Sequence, residues 1–409
     1  MATSNDSSAT PTASSSPSLL DNITANVAAS GVANGVANNN TSVPASIAVV
    51  VTSGGDADLL DRSLDALTRQ DLPALFDLVV VDEYPDPDRV AARMVAMWSA
   101  RGAVHEAHRP NESGARLHHL PNSGEAQGAA AARNLGWRAS GAAIIAFTSD
   151  DAVPAADWLR QGVKALGAGS GQLASDGDGA AGAANAAHHA ADDAADPAHA
   201  TLDAVCGRVD AVLPKHPTES QWREHQRAAG EFTGCNWFCR RALLERLGGF
   251  DERFTDTAGA DADMHFRLLE AQVALSRAPA ASVARPVPAA GWADSLAQLR
   301  ALSGEALLYK KHPRLYREKI RSLPDWHDAV VVAALLLAAT GIWLGHELLT
   351  VCAGGIWLVL TAMLCIRRLH DTAKTPSHVA AVLLTSFVLP PLALFWRLVG
   401  AVRHRVPYA

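Results

Sequence analysis

Residues 128–154 place a helix, a buried strand and an acidic turn in direct succession, and no other stretch constrains the fold of this chain as strongly. Residues 128–140 are rich in alanine and are followed by a glycine, a pattern typical of a helix and its C-terminal cap. Residues 142–147 form a short apolar run, as expected of a strand covered on both faces. Asp150 and Asp151 follow directly. Open α/β sheets bind ligands beyond the carboxyl ends of their strands, and two adjacent carboxylates there call for a cation or a polyhydroxyl ligand between them. The arrangement is the one needed to hold a divalent cation on a diphosphate.

Strand and helix patterns alternate along the folded part of the chain. Residues 46–51 and the FDLVVV run at residues 76–81 predict strands, and residues 202–213 predict another. Residues 56–69 carry leucines at helical spacing, and residues 90–102 predict a further helix. This alternation predicts an α/β fold built on a largely parallel sheet.

The composition allows a large core and limits the classes of partner. The chain has 409 residues, 49% hydrophobic and 19% charged, which is enough for one catalytic domain and a further region. The formal net charge of −7 argues against a nucleic-acid partner, because such binding depends on cationic contacts to phosphates. The five cysteines lack the second Cys or His pair of a zinc site, which favours reduced packing residues in a cytoplasmic setting. No basic region followed by an apolar core opens the chain, so we expect no signal peptide.

Two segments have the composition of disordered chain. Residues 1–44 are rich in Ser, Thr, Ala and Asn and have few large apolar side chains. Residues 167–200 are rich in Ala, Gly, Asp and His; weak metal binding is one interpretation, and a solvated disordered insertion is the favoured one. We therefore predict a catalytic domain over residues 45–322 and a membrane region over residues 323–409.

The last third of the chain is apolar enough to enter a membrane. Residues 329–366 are too long for one spanning helix, so we predict two helices, over residues 329–345 and 348–366, joined by a tight turn. A third apolar segment over residues 379–396 contains a Pro-Pro pair.

Basic residues indicate the orientation of these segments. Lysines and arginines flank the first two spans on one side and are missing from the hairpin tip, which predicts a cytoplasmic catalytic domain. A third full span would put Arg397, Arg403 and Arg405 outside, so a bent or re-entrant segment broken at Pro390 and Pro391 is favoured. Core helices of a soluble protein are the alternative. The expected location is the inner cell membrane, crossed more than once.

Four blocks of sequence resemble the family-2 glycosyltransferases with a GT-A fold. They are SIAVVV with the later FDLVVVDE, AAARNLGWRASGAAIIAFTSDDAVPAADWL, GCNWFCRRALLERLGGFDERF and AGADADMHFRLL. Together they extend over residues 46–317, apart from the insertion. The resemblance implies a Rossmann-like, mostly parallel sheet with flanking helices, a nucleotide-sugar donor, Mn²⁺ or Mg²⁺ as cofactor, and inverting sugar transfer. The membrane segments suggest a lipid-linked or cell-envelope glycan acceptor.

The resemblance also implies roles for individual residues. Asp261 is the expected catalytic base, and Asp151 is the expected metal ligand. The residues expected to bind the nucleotide or donor sugar are Ser53, Asp82, Glu83, Arg133, Asn134 and Asp150. The residues expected in the acceptor or sugar pocket are Asn236, Trp237, Asp263 and Arg267.

The chain departs from the family pattern at several positions. Ser53 and two glycines replace the usual Thr-Tyr-Asn, Ser149 replaces the first acid of a three-acid turn, and Ala260 replaces the Glu before the base. Glu83 replaces a second Asp. These losses weaken the metal and nucleotide assignments but leave the expected base and metal ligand in place. The Gln-x-x-Arg-Trp motif of processive enzymes is missing after Trp292, which argues against a polymerising synthase.

The acidic residues also have structural interpretations. Asp82 could bond to nearby backbone, and Asp150 and Asp261 could cap helices. A catalytically inactive membrane-anchored scaffold is therefore the alternative to an enzyme, and the changes at Ser149 and Ala260 motivate it. Nucleotidyl transfer to sugar phosphates is disfavoured, because no Gly-rich phosphate loop with a basic residue follows the first strand.

Overall fold

A computed structural model describes most of the chain from the first predicted strand onwards. The described residues are 46–54, 57–82, 114–122, 127–167, 202–215, 217–228, 230, 232–287, 299–320, 326–370 and 372–406. The N-terminal tail, nearly all of the insertion, the helix predicted over residues 90–102 and Glu83 lie outside these ranges.

The described elements alternate between strands and helices and end in three long helices. The strands are β1 Ile47–Ser53, β2 Leu75–Asp82, β3 Gly114–Pro121, β4 Ile144–Ser149, β5 Val153–Pro154, β6 Ala204–Val212, β7 Trp237–Arg240 and β8 Leu275–Pro286. The helices are α1 Ala57–Thr68, α2 Ala129–Ala139, α3 Trp158–Gly167, α4 Glu219–Ala228, α5 Arg241–Leu247, α6 Thr257–Glu270, α7 Leu302–Lys311, α8 Pro313–Lys319, α9 Trp326–Leu344, α10 Glu347–Leu369 and α11 Pro376–His404. Strands β1, β2, β4 and β6 and helices α1 and α2 confirm the corresponding predictions.

The described strands form one eight-stranded mixed sheet, in the order β3-β2-β1-β4-β7-β6-β8-β5. β1 to β4 pair in parallel, whereas β7 runs antiparallel between β4 and β6. The parallel register sets Thr52 beside Ser149, so the carboxyl ends of β1 and β4 meet at one edge of the sheet. The predicted fold class, a sheet flanked by helices with apolar C-terminal helices, is confirmed.

Alternate residues of the central strands enter two separate apolar layers. Ala48 and Val50 of β1 lie in one layer, and Val49 and Val51 lie in the other, as the two-residue period of a strand requires. Helices α2 and α6 contribute to the first layer, and α1 and α3 contribute to the second. The strand ends that hold polar residues are thus fixed from both faces of the sheet.

The three C-terminal helices are each long and apolar enough to cross a membrane. α9 and α10 pack as a hairpin, and apolar residues near its tip are exposed, with Trp343 at 84% and Leu348 at 78%. α11 is one continuous helix through Pro390 and Pro391, so the predicted break at the prolines is wrong. Each proline removes one backbone donor, but contacts of α11 with α7, α9 and α10 support the helix.

Gly162 of α3 lies against the buried ring of Phe238, where an added Cβ would come within 2.1 Å of Cζ. We expect Gly162→Ala to destabilise the folded chain by about 1–3 kcal/mol, because a close-packed core leaves the ring no room to move. The apparent melting temperature in detergent, at one scan rate, measures the effect. Gly141→Ala is the matched control, since nothing lies within 4 Å of that position. Equal melting temperatures for the two variants would contradict the prediction.

Candidate active site

The carboxyl ends of β1 and β4 open into a cavity of about 1480 Å³. The expected site residues that line it are Ser53, Arg133, Asp150, Asp151 and Asp261. Its other ionisable lining residues include Glu224, Asp256, Arg285, Arg300, Lys319, Arg403 and His404. The expected metal ligand, Asp151, and the expected base, Asp261, therefore share one cavity although they are far apart in the sequence.

Asp150 directly follows β4, and its carboxylate accepts hydrogen bonds from residues at the end of β1. The hydroxyl of Ser53 donates to Asp150 Oδ2 at 3.1 Å, and the N–H of Gly54 donates to the same oxygen at 2.9 Å. Burial raises the pKa of Asp150, and the neighbouring charge of Asp151 raises this pKa further. A cation in front of the two acids would relieve both effects.

Asp151 faces a cation that belongs to the protein itself. Nε and one Nη of Arg285 lie 2.7 and 2.6 Å from Asp151 Oδ2, and the other Nη lies 2.8 Å from Glu224 Oε1. Burial opposes the charge on this guanidinium, but the adjacent carboxylates outweigh burial and raise the pKa of Arg285. The hydroxyl of Ser149 donates to the other oxygen of Asp151.

The part of the cavity that holds Asp150, Asp151 and Glu224, called the acidic end below, offers oxygen ligands without forming a complete metal centre. Within the part of the chain that the structure describes, no three His, Cys, Asp or Glu side chains are grouped to hold a metal ion. Asp150, Asp151 and Glu224 outnumber the guanidinium of Arg285, which contacts two of them, and hard divalent cations prefer oxygen ligands. The side chains therefore fit a cation that brings further ligands with it, such as the oxygens of a diphosphate.

Asp261 of α6 is fixed from two directions. Nη1 of Arg133 donates to Asp261 Oδ1 at 2.6 Å, and the N–H of Gly234 donates to Oδ2 at 2.8 Å. Arg133 is buried and lies over the ring of Phe250, 5.1 Å from its centroid. A Cβ on residue 234 would come within 2.2 Å of Asp261 Oδ1, so only glycine allows this approach. The carboxylate thus meets the cavity in one orientation, with 17% of its side chain exposed.

Three residues expected to bind substrate are buried inside the domain. The side chain of Asn134 bonds both the C=O and the N–H of Phe250, each at 2.8 Å. Asn236 accepts from Trp158 Nε1 at 2.8 Å, and Trp237 stacks on an aromatic ring of β4. None of the three is among the described residues that line the cavity, and their contacts join elements of the fold.

Two further expected residues also lie away from the described cavity wall. Asp82 at the end of β2 is buried, and its Oδ2 lies 2.5 Å from His119 Nε2. Arg267 donates to the main-chain carbonyls of Leu247 and Gly249. Both side chains therefore contact neighbouring segments, and Asp82 lies beside Ser53 at the edge of the sheet.

Asp263 belongs to a buried polar cluster between α6 and α7. Lys311 Nζ and His312 Nε2 both contact Asp263 Oδ1, and His312 Nδ1 lies 2.9 Å from Glu270 Oε1. Burial lowers the pKa of His312, but its hydrogen bonds to Asp263 and Glu270 outweigh burial and raise the pKa. The cluster fastens α7 to α6, the helix that carries the expected base.

The charged cavity residues that the sequence analysis did not expect include Glu224, Asp256 and Arg285. Asp256 caps α6, where its Oδ1 accepts from the N–H of Gly259 at 2.7 Å. Arg285 lies near the end of β8, a strand that was not predicted. Because the sequence of β8 gives no clear strand pattern, nothing marked Arg285 as a residue at a strand end, where ligands bind.

Replacing His312 with Gln is expected to destabilise the chain more at about pH 5.5 than at about pH 8.5. The pKa of His312 is raised in the folded chain, so its stabilisation is complete below the ordinary value of 6.5 and is lost as the pH rises through the folded value. Melting temperatures of the wild type and His312→Gln across this range measure the effect. His225→Gln is the control, and a pH-independent difference at residue 312 would refute the prediction.

The sequence of the domain matches a known family. Residues 46–248 match the family model described as Glycosyl transferase family 2, and no curated protein matches the chain. The mannosyltransferase PcManGT from Pyrobaculum calidifontis, solved with GDP-Man and Mn²⁺, is 18% identical, with 94% of this chain and 99% of that chain covered and a TM-score of 0.44. S. aureus TarS 1-349, solved with UDP, is 13% identical, with 86% and 91% covered and a TM-score of 0.39. Through residues 46–248 the chain belongs to glycosyl transferase family 2, and it is a glycosyltransferase that takes its sugar from a nucleotide-sugar.

Proposed function

We propose that the chain transfers one sugar, with inversion, from a nucleotide-sugar to a lipid-linked or cell-envelope glycan acceptor at the membrane. The observation that carries this proposal is one cavity that runs from Asp151 and Asp261 to the last turn of α11, where Arg403 and His404 lie. The donor diphosphate would occupy the acidic end. An acceptor carried by the membrane would enter from the end that α11 lines.

The acidic end suits the donor and its cation. In this proposal Asp151 holds Mn²⁺ or Mg²⁺ together with the diphosphate, and Asp150 faces the ribose or the sugar. The cation, when bound, would neutralise the charge that develops on the departing diphosphate. Ser53 orients Asp150, and Arg133 orients the base, so both would act next to the donor.

Asp261 is the proposed general base. Its carboxylate would take the proton of the acceptor hydroxyl while that oxygen attacks the anomeric carbon. The bond from this carbon to the diphosphate oxygen breaks, and its electron pair leaves with the diphosphate. Attack from the side opposite the leaving group inverts the anomeric centre. The bonds from Arg133 and Gly234 keep the carboxylate directed at the incoming hydroxyl.

α11 contacts the catalytic region at both of its ends. Just before the helix, Ala373 donates its N–H to the carbonyl of Pro217 at 2.8 Å. At its end, Lys310 Nζ donates to the carbonyl of His404 at 2.9 Å. The 29-residue helix is about 43 Å long, and a spanning helix of this length would have its ends on opposite sides of the membrane. Both contacts support a helix that lies along the membrane surface instead.

The exposed face of α11 is apolar, as the membrane surface requires. Leu384, Phe387, Phe395, Leu398 and Val402 recur at helical spacing and are between 43% and 78% exposed. A helix with one apolar face against lipid and the other against protein is typical of the interface. We therefore propose that the hairpin of α9 and α10 spans the inner membrane and that the catalytic domain lies in the cytoplasm.

Changing Asp261 to Asn is expected to slow sugar transfer by about 10²–10⁴-fold, because an amide cannot take the acceptor proton. The assay supplies a panel of nucleotide-sugars with Mn²⁺ and a lipid extract of the host membrane, and it measures transferred sugar and released nucleotide. Asp210→Asn is the matched control, since that exposed carboxylate pairs with Arg208 away from the cavity. Failure of the wild type to bind or consume any donor, with no phenotype for Asp261→Asn, would favour the inactive scaffold.

The C-terminus is expected on the same side of the membrane as the catalytic domain, because both ends of α11 contact that domain. Tags placed at the two termini should be labelled together in inverted vesicles and protected in intact cells. A tag inserted at Gly345, in the turn between α9 and α10, is the control and should be labelled from outside. Labelling of the C-terminal tag from outside intact cells would show that α11 spans.

A further inference from the structure

The guanidinium of Arg285 contacts Asp151 at the position where the cation of the donor complex is expected. We propose that Arg285 competes with divalent cations for Asp151, so that a cation binds there only together with a nucleotide diphosphate, which draws the guanidinium away. This inference rests on the proposed function, and it assigns to Arg285 the coupling between the cation and the nucleotide.

Both oxygens of Asp151 are already engaged. Arg285 contacts Oδ2 through two nitrogens, and the Ser149 hydroxyl donates to Oδ1. Mg²⁺ binds carboxylate oxygens at about 2.0–2.1 Å, so a cation on Oδ2 would lie next to the guanidinium charge. A free cation must therefore displace a charged side chain that is itself three-quarters buried, with 24% of the side chain exposed.

Glu224 keeps Arg285 at the cavity after it leaves Asp151. The second Nη of Arg285 contacts Glu224 Oε1 at 2.8 Å, and this carboxylate belongs to α4 rather than to the acidic turn. A guanidinium has five N–H groups. In Arg285, one N–H on each of the three nitrogens faces a carboxylate, two of them Asp151 and one of them Glu224, which leaves two N–H groups for an anionic ligand. Phosphate oxygens match this fork, so a diphosphate can replace Asp151 as its partner.

The charges around Asp151 make binding of the cation and binding of the diphosphate depend on each other. If Arg285 left Asp151 with no cation in its place, the partly buried acids Asp150 and Asp151 would face each other uncompensated. If a cation entered while Arg285 stayed, two positive charges would share one oxygen. The cation and the diphosphate should therefore bind with positive coupling, and by linkage each raises the affinity for the other.

The test measures Mn²⁺ binding to the full-length chain in detergent by electron paramagnetic resonance, without nucleotide. Arg285→Gln should bind Mn²⁺ about tenfold more tightly than the wild type, the size expected when one like charge leaves a partly buried site. Arg285→Lys keeps the charge and should resemble the wild type. Arg277→Gln, an exposed arginine on the same strand, is the matched control and should also resemble the wild type.

A second set of measurements locates the gained site and measures the coupling. Arg285→Gln combined with Asp151→Asn should lose the gained Mn²⁺ affinity. Adding UDP, GDP, CDP or ADP should raise the Mn²⁺ affinity of the wild type much more than that of Arg285→Gln.

Equal Mn²⁺ affinity of the wild type and Arg285→Gln without nucleotide, with nucleotide binding intact, would overturn the role of Arg285 and leave the proposed function standing. No binding of any of these nucleotides, with or without Mn²⁺, would overturn the proposed function itself.

Discussion

The buried ion pair between Arg133 and Asp261 is the interaction on which both the domain and its cavity depend. It joins α2 to α6 across 128 positions of sequence. Arg133 is 1% exposed, and a buried guanidinium without its carboxylate is strongly unfavourable, so loss of either partner costs stability. The same contact gives Asp261 one orientation. The residue that would accept the acceptor proton is therefore part of the structural core, and its position is fixed before any substrate arrives.

The parts of this arrangement that the sequence predicted are local, and the parts it missed depend on distant contacts. Asp150 and Asp151 were predicted because they follow a recognisable buried strand. Asn236 and Trp237 come from an equally family-like block, but β7 is buried on both faces, so its sequence does not show which side chains pack and which meet a ligand. Arg285 reaches Asp151 across 134 positions, from a strand whose alanines and prolines give no clear strand pattern.

The departures from the family pattern alter supporting residues rather than the two central acids. Ser149 replaces an acid, yet its hydroxyl donates to Asp151 and so supports the expected ligand. Ala260 replaces a Glu, but this position is 1% exposed and lies in the apolar layer between α6 and the sheet. An acid there would be buried without water, so alanine suits this packing better. These two changes therefore give the inactive scaffold less support than the sequence alone suggested.

The cavity lining combines acidic and basic residues, and the last apolar helix, α11, supplies part of it. Its acids include Asp150, Asp151 and Glu224, and its basic residues include Arg300, Lys319 and Arg403. Carboxylates attract the cation of a donor, and basic groups near a membrane surface attract anionic lipid. Because Arg403 belongs to α11, this apolar helix also forms a wall of the cavity. α11 packs both on α7 and on the hairpin of α9 and α10. In the orientation proposed above, membrane attachment and formation of the acceptor side would therefore depend on the same helix.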